Sequence, residues 1–408
     1  MYTMAKLKVL IVGAGLGGLC LAQVLRRHDV EVDVFERDTS PWDRPQGYRL
    51  HIDSDGVNAL YQSLPPQLYH LFEATSMKPL PFTTLVDTNL AIQHRISSDE
   101  QGSEQVDPSS GLPSHVNVNR ATLRQILLTG LKDLIHFRKK LAYYESDEQG
   151  VTVTFEDGTQ AKGDLLVGAD GIRSAVRKQR VPHAAIQDAG LRAIYGRIPI
   201  ASAMTYVPDQ ARDDVFTVAV DARKLFLGLG PVVFPTRPDV AASQFMPQAE
   251  LQSQDDYVVC IIGGRKELFG EDDARLRDLS SEELQKLSVA LMKEWPERSR
   301  AIPAHGDPTS FFFVEMDTSI PCEMPKSANV TLLGDAIHAM TPTLGRGANT
   351  AMRDGALLGR HLSDVVHGRR TLAEAISEYE TNMTRYDFDV VKKAAALGER
   401  LIGQNPLP

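Results

Sequence analysis

A glycine turn between two apolar runs near the start of the chain limits the possible folds more than any other feature. Lys8 to Val12 reads as a buried strand, Gly13-Ala14-Gly15-Leu16-Gly17-Gly18 follows, Leu19 to Arg27 reads as a helix and Glu31 to Phe35 as a second strand. Strand, GxGxxG, helix and strand make a βαβ unit. Gly13 permits the tight turn, Gly15 lets the backbone approach a pyrophosphate, and Gly18 allows close packing of helix on strand. The phosphates then meet a helix N-terminus, where free N–H groups and the dipole favour an anion. Glu36, with Arg37 beside it, ends the second strand, where a carboxylate accepts hydrogen bonds from an adenosine ribose and disfavours a 2′-phosphate. The site therefore suits FAD or NAD better than NADP, and the turn by itself does not choose between the first two.

With 408 residues, two domains are the natural expectation. A net charge of −9 argues against nucleic acid or an anionic membrane surface as partner, and the basic cluster Arg173, Arg177, Lys178 and Arg180 is local. Cys20, Cys260 and Cys322 are too far apart in sequence for a metal-ligand or CxxC spacing, so no metal is expected and a reduced, cytoplasmic setting is the simplest one. The run Leu7 to Val12 is too short for a signal-peptide core, and no segment approaches the roughly 20 apolar residues of a membrane helix. A soluble protein is expected, and its oligomeric state is left open.

Further along, Leu64 to Pro113 reads as an excursion, with a weakly ordered tract from Ser97 to Pro113. Leu123, Ile126, Leu127, Leu131 and Leu134 recur at helical spacing from Arg120 to Leu134. A hairpin follows, from Val151 to Phe155, through Asp157-Gly158, and back along Gln160 to Val167. Between about 190 and 316 the runs Ile194 to Ile200, Val215 to Val220, Leu225 to Val233, Tyr257 to Ile262 and Phe311 to Val314 predict a largely antiparallel sheet, interrupted by one helix from Ser281 to Glu294. Val330 to Leu333 reads as a strand, and helical patterns at 347–366 and 371–402 end the chain.

Two more motifs separate FAD from NAD. Gly168-Ala169-Asp170-Gly171-Ile172-Arg173-Ser174-Ala175-Val176-Arg177 follows the hairpin, and Gly334-Asp335-Ala336-Ile337-His338-Ala339-Met340-Thr341-Pro342-Thr343-Leu344-Gly345-Arg346-Gly347-Ala348-Asn349 follows the late strand. Together with the glycine turn, they make the chain resemble the group A flavoprotein monooxygenases, the family of para-hydroxybenzoate hydroxylase and the tetracycline-modifying monooxygenases. The first matches that family's DG fingerprint, with Asp170, Gly171, Ser174 and Arg177 in place, and the second its GD motif. The resemblance implies an α/β fold: a Rossmann-like FAD-binding domain of the GR2 type, an inserted antiparallel β-sheet domain for substrate, and C-terminal helices. The expected division is 1–80, 111–185 and 325–408 for FAD, with 81–110 and 186–324 for substrate.

On the same footing, Asp335 accepts hydrogen bonds from the ribityl hydroxyls. Pro342, Gly345, Gly347, Ala348 and Asn349 lie where the opening of a helix stabilises negative charge on the reduced flavin. Arg120 and Leu123 match the family's short Arg-x-x-Leu segment, and an arginine fork there suits FAD phosphate or ribityl oxygens. Gln46-Gly47-Tyr48-Arg49 falls where the family's chain skirts the flavin, with Gly47 admitting close backbone approach. For Arg49, a flavin-side contact and an ordinary loop position both stay open. Arg192 and Tyr195, on the first strand of the expected sheet, are candidates to face substrate, with packing as the alternative. His338 is assigned a structural role. Arg346 and Leu344 depart from the family pattern; Arg346 either adds charge beside the flavin or points to solvent.

The chemistry implied is reduction of FAD by NADPH or NADH, reaction with O2 through a flavin C4a-hydroperoxide, and hydroxylation or epoxidation of an electron-rich small molecule such as an aromatic, polyketide, terpenoid or antibiotic. No catalytic side chain is required beyond the flavin. There is no second GxGxxG for the nicotinamide cofactor, which argues against the two-dinucleotide reductases and Baeyer-Villiger oxygenases. Related FAD enzymes without oxygen transfer are the rivals, a halogenase, a reductase or a non-catalytic flavin binder. With Trp42 and Trp295 the only tryptophans, the halogenase Trp-x-Trp is missing.

Overall fold

The computed structural model describes residues 6–41, 48–97, 106 and 110–408. Its N-terminal βαβ unit forms as the glycine turn requires, with strands Lys8–Val12 and Glu31–Phe35 flanking the helix Leu16–Arg27. These strands belong to a five-stranded parallel sheet ordered Val330–Leu332, Leu165–Gly168, Lys8–Val12, Glu31–Phe35, Ile135–His136. Both faces of such a sheet are covered, so its strands are continuous apolar runs rather than alternating ones; Val9, Leu10 and Ile11 have no exposed surface. The helix Gly347–Val366 packs along Leu16–Arg27, and glycines set the distance: a Cβ at Gly355 would stand 2.6 Å from the carbonyl oxygen of Gly17. The two helices start side by side at the edge of one cavity, to which Leu16 and Gly347 both contribute.

A seven-stranded sheet forms the other wall, ordered Phe312–Ser319, Ile186–Pro199, Tyr257–Arg265, Phe226–Val232, Phe216–Val220, Phe82–Val86, Ile92–Ser97. Every neighbouring pair is antiparallel except Phe216–Val220 with Phe82–Val86. Between the two large sheets runs a ribbon, Arg49–Asp53 paired antiparallel with His115–Asn119.

Several local expectations change. The helix from Arg120 stops at Leu128, because Gly130 at φ +78° turns the chain and Lys132–Leu134 manages one 3-10 turn. The return strand of the hairpin breaks at Asp164, whose carboxylate accepts the Lys8 N–H at 2.7 Å. Gln160–Gly163 stays in the hairpin while Leu165–Gly168 crosses into the parallel sheet. Around the seven-stranded sheet, the single helix expected from Ser281 is joined by Ile200–Tyr206, Asp209–Asp213, Pro238–Phe245, Asp273–Asp278 and Glu297–Ala304. These are short, and a short apolar stretch does not carry enough helical period to be told from strand. The stretch after Leu64 holds the helix Pro66–Thr75 and two strands, and most of the tract from Ser97 to Pro113 lies outside the described residues. Among the described residues no helix is long and apolar enough to cross a membrane.

Candidate functional site: a cavity between the two sheets

The glycine turn opens one end of a cavity of about 1570 Å³. Gly13 adopts φ +113° and donates its N–H to Phe35 O at 2.8 Å, while Gly15 caps the helix Leu16–Arg27 in an extended conformation. Glu36 is buried at the end of its strand, and its carboxylate accepts the Ala14 N–H at 2.9 Å and the Asp38 N–H at 3.1 Å. One carboxylate thus fastens the turn and still lines the cavity, next to exposed Arg37. Gly47 lies outside the described residues.

Arg120 stands at the start of its helix, which Asn119 caps by accepting the Thr122 N–H at 2.9 Å. Its guanidinium lines the cavity and its Nε is buried with no acceptor. Burial pulls its pKa down, partly offset by Asp335 and Tyr195. Asp335 is exposed to the cavity between buried Gly334 and Ala336. Asp170 also lines it, but its carboxylate is held within its own loop by Ser174 Oγ at 2.5 Å and the Ala175 N–H at 2.6 Å. Arg177 ties the two motifs together by donating to Ile172 O at 2.8 Å and Ala336 O at 3.0 Å.

Pro342, Gly345, Gly347 and Ala348 line the cavity where the helix Gly347–Val366 begins. The Asn349 side chain does not reach it. Its amide donates to His51 O and Gly345 O, both at 3.0 Å, and accepts the Asp53 N–H at 3.1 Å, so it joins the GD loop to the Arg49–Asp53 strand. Arg346 lines the cavity rather than pointing to solvent, and its charge is met there by carboxylates: Nε lies 2.7 Å from Asp53 and Nη2 bonds Asp55 at 2.5 Å and the Tyr386 hydroxyl at 2.7 Å. Burial holds the Asp53 carboxyl up at about 6 against the opposing pull of Arg346. His338 is fully buried with Nε2 2.6 Å from Asp354, which also accepts the Gly334 N–H at 3.0 Å. Burial pulls His338 down, but Asp387 and Asp354 outweigh it and its pKa rises to about 9. Through Asp354, His338 is tied to the turn that presents Asp335.

The far wall comes from the seven-stranded sheet. Tyr195 lines it, stacked on Phe312 with centroids 5.5 Å apart, and Tyr48 meets the edge of Phe312 at 5.3 Å. Burial pushes the Tyr195 hydroxyl up to about 12, with Arg120 opposing. Arg192 does not face the cavity. Three positions along a strand reverse the side chain's direction, and Arg192 is instead held by Asp273 at 2.6 Å and Asp188 at 2.8 Å. Arg49 does line the cavity, together with His51, which the motif reading passed over. The signal was present in Arg49-Leu50-His51-Ile52-Asp53, a strict polar–apolar alternation that puts 49, 51 and 53 on one face. Asp354 and Asp387 carried no such signal, since their burial arises only when the helices Gly347–Val366 and Leu372–Ile402 close on His338.

The glycines test whether the walls fit a dinucleotide. A Cβ added at Gly15, Gly171 or Gly345 would meet nothing within 4 Å, so these backbones face open space, whereas one at Gly13 would strike Ala169 O at 2.2 Å. Open backbone at a helix start, an arginine Nε lacking an acceptor and a ribose-side carboxylate together match FAD. The family model described as FAD binding domain matches residues 6–394.

The chain belongs to the FAD binding domain family.

Its relatives are FAD-dependent monooxygenases. It is 34% identical to the dual O-methyltransferase/FAD-dependent monooxygenase CTB3 of Cercospora beticola over 98% of its own length and 47% of that protein's. It is 32% identical to elcB of Phaeosphaeria nodorum, which carries the same description, over 99% of this chain and 47% of that one. The chain therefore spans about half the length of these relatives. Among solved structures, one from Photorhabdus luminescens subsp. laumondii assigned as an FAD containing monooxygenase superposes with a TM-score of 0.79 at 29% identity, covering 97% of this chain and 99% of the other.

Proposed function

We propose that this chain is an FAD-dependent, NAD(P)H-consuming monooxygenase that places one oxygen atom of O2 on a small, electron-rich organic molecule. The observation that carries the reading is the single cavity running from the glycine turn, past Arg120 and Asp335, to an aromatic wall of the seven-stranded sheet. It exceeds the roughly 300–1,000 Å³ of an ordinary small-ligand cleft and has room for a cofactor and an acceptor together.

The residues divide the work by position. Gly15 and the free N–H groups of the helix Leu16–Arg27 would receive the pyrophosphate, and Glu36 the ribose. Arg120 would offer its fork, and Asp335 would accept the ribityl hydroxyls. The N-terminus of the helix Gly347–Val366, set by Gly345 and Gly347, would stabilise negative charge delivered beside it. Bound FAD, once reduced by NAD(P)H, supplies the oxygen-transfer chemistry. Tyr48, Tyr195, Phe216 and Phe312 exclude water from the acceptor side, and segments 81–110 and 186–324 serve as the substrate-binding part. The nicotinamide cofactor would visit without a nucleotide domain of its own.

Purified protein should carry FAD, and an accepted substrate should accelerate NAD(P)H oxidation. With labelled dioxygen, one labelled atom should enter the product. Protein that takes up no added FAD, or that releases all reduced oxygen as peroxide with every acceptor screened, overturns the proposal.

A further inference from the structure

Arg346, which lines the cavity, ends on Asp53 and Asp55, and outside it Arg95 ends on Asp214, Arg197 on Asp307, and Arg192 on Asp188 and Asp273. Arg49, like Arg120, lines the cavity and forms no ion pair with any carboxylate among the described residues. Its Nη2 donates to Asn117 Oδ1 at 2.6 Å and to Val215 O, and its Nε is buried without an acceptor. Burial pulls the guanidinium pKa down to about 10.

The surroundings of Arg49 are built for it. The guanidinium lies 5.7 Å from the centre of the Phe216 ring, and a Cβ at Gly230 would stand 2.8 Å from Arg49 Cδ and 2.9 Å from Nε. A glycine in the strand Phe226–Val232 thus makes the seat. These contacts are with the seven-stranded sheet and not with the glycine turn or Glu36, which places the charge on the acceptor side of the cavity. His51, two positions along the same strand face, adds no second cation: burial, then Arg49 and His115, hold its pKa down at about 3, and its Nδ1 lies 3.3 Å from the same Asn117 oxygen. A cation withdrawn from water with no counter-charge is costly, and a ligand that supplies an anion in its place forms a strong charge-assisted bond.

We propose that Arg49 anchors an anionic oxygen of the acceptor, so that the substrate is an acidic molecule bearing an ionised phenol, enol or carboxylate rather than a neutral terpenoid or hydrocarbon. The word substrate rests on the monooxygenase reading; the anion preference does not. Asn117 and Gly230 are positioning residues that aim the guanidinium.

Binding to the FAD-loaded protein, measured by calorimetry without NAD(P)H, tests this apart from turnover. The probes are two matched pairs, para-nitrophenolate with para-nitroanisole and para-nitrobenzoate with para-nitrobenzamide. At least one anion should bind about 10-fold or more tightly than its neutral partner, and the pair that shows the preference tells ionised hydroxyl from carboxylate. Arg49→Gln should abolish the preference while leaving FAD content and neutral-probe affinity unchanged. Arg49→Lys, which keeps the charge and loses the fork, should retain part of it and guards against a folding failure in the first variant. No anion preference in the unmodified protein, a preference that survives Arg49→Gln, or loss of FAD in both variants overturns the proposal. The last result would assign Arg49 to the cofactor.

Discussion

Alanine substitutions at Gly15 and Gly18 separate two roles that one glycine motif combines. A Cβ at Gly18 would stand 2.3 Å from Gly13 O and 3.2 Å from Ala169 Cβ, both in the packed turn, whereas at Gly15 it would meet nothing within 4 Å. Ordinary carbon–oxygen contact needs roughly 1 Å more than Gly18 allows, and the neighbour that must move is backbone, so Gly18→Ala should cost about 3 kcal/mol. Gly15 has φ −77° and ψ 178°, a conformation open to alanine. Gly15→Ala should therefore leave the apo-protein's stability within about 0.5 kcal/mol of the parent, or raise it slightly. Its methyl group would occupy the space where the pyrophosphate is expected to approach, weakening FAD by about 10-fold or more. Thermal unfolding of FAD-stripped protein, together with FAD titration followed by flavin fluorescence, reads the two effects separately. If Gly15→Ala binds FAD as the parent does, or melts as early as Gly18→Ala, the assignment of the open face to FAD is wrong.

Three further outcomes are expected. His338, raised from 6.5 to about 9 by its buried carboxylates against the cost of burial, contributes stability that is fully present below about pH 6.5 and lost as pH rises through about 9. The loss is shared with Asp387, whose pKa burial also raises, so the two groups titrate as a pair in the same direction. The melting temperature of the parent should fall over that window, and a His338→Gln variant with a curve just as steep would refute the link. Arg346→Gln leaves Asp53 and Asp55 facing each other and should cost about 1–2 kcal/mol at pH 8, discounted for partial exposure. Most of that cost should vanish near pH 5, below the raised pKa of Asp53, and a pH-independent cost would contradict this charge balance. Arg192→Met should lower the melting temperature, by roughly 2–3 kcal/mol of stability, with FAD and probe affinities unchanged; a selective loss of probe binding would return Arg192 to the cavity wall.

Much of the fold could be read directly because its signals are local. The strand–turn–helix–strand order, the late strand Val330–Leu332 and the two closing helices each rest on apolar periodicity and end at glycines or caps. Thr371 with Glu374 is one example, forming a capping box at the start of the last helix. Periodicity failed where neighbours decide. The return strand divides at Asp164 because the Lys8 N–H captures its carboxylate, and Lys8 is 156 positions away. The short helices around the seven-stranded sheet are held by packing that no run of eight or so residues can announce.

The candidate site divides in the same way. Gly13, Gly15 and Glu36 could be named from the sequence because a pyrophosphate or ribose needs a particular residue type at a particular offset from a strand end, whereas Arg120, Asp335, Gly345 and Gly347 were legible through the resemblance of their motifs to the family. Whether a side chain faces the cavity is a different matter, set by strand parity and by which charges meet on closure. Tyr195 and Arg192 sit three residues apart, and the sheet turns one toward the cavity and the other into an ion pair with Asp273. Asn349 became a strut, Arg346 found one carboxylate at a strand end and one in the helix turn after it, nearly 300 positions earlier, and Arg49 found none. The sequence by itself determined the glycine-turn architecture and its dinucleotide chemistry; only the tertiary structure decided which arginines meet a carboxylate and which do not, because pairing depends on distances between segments that local pattern does not encode.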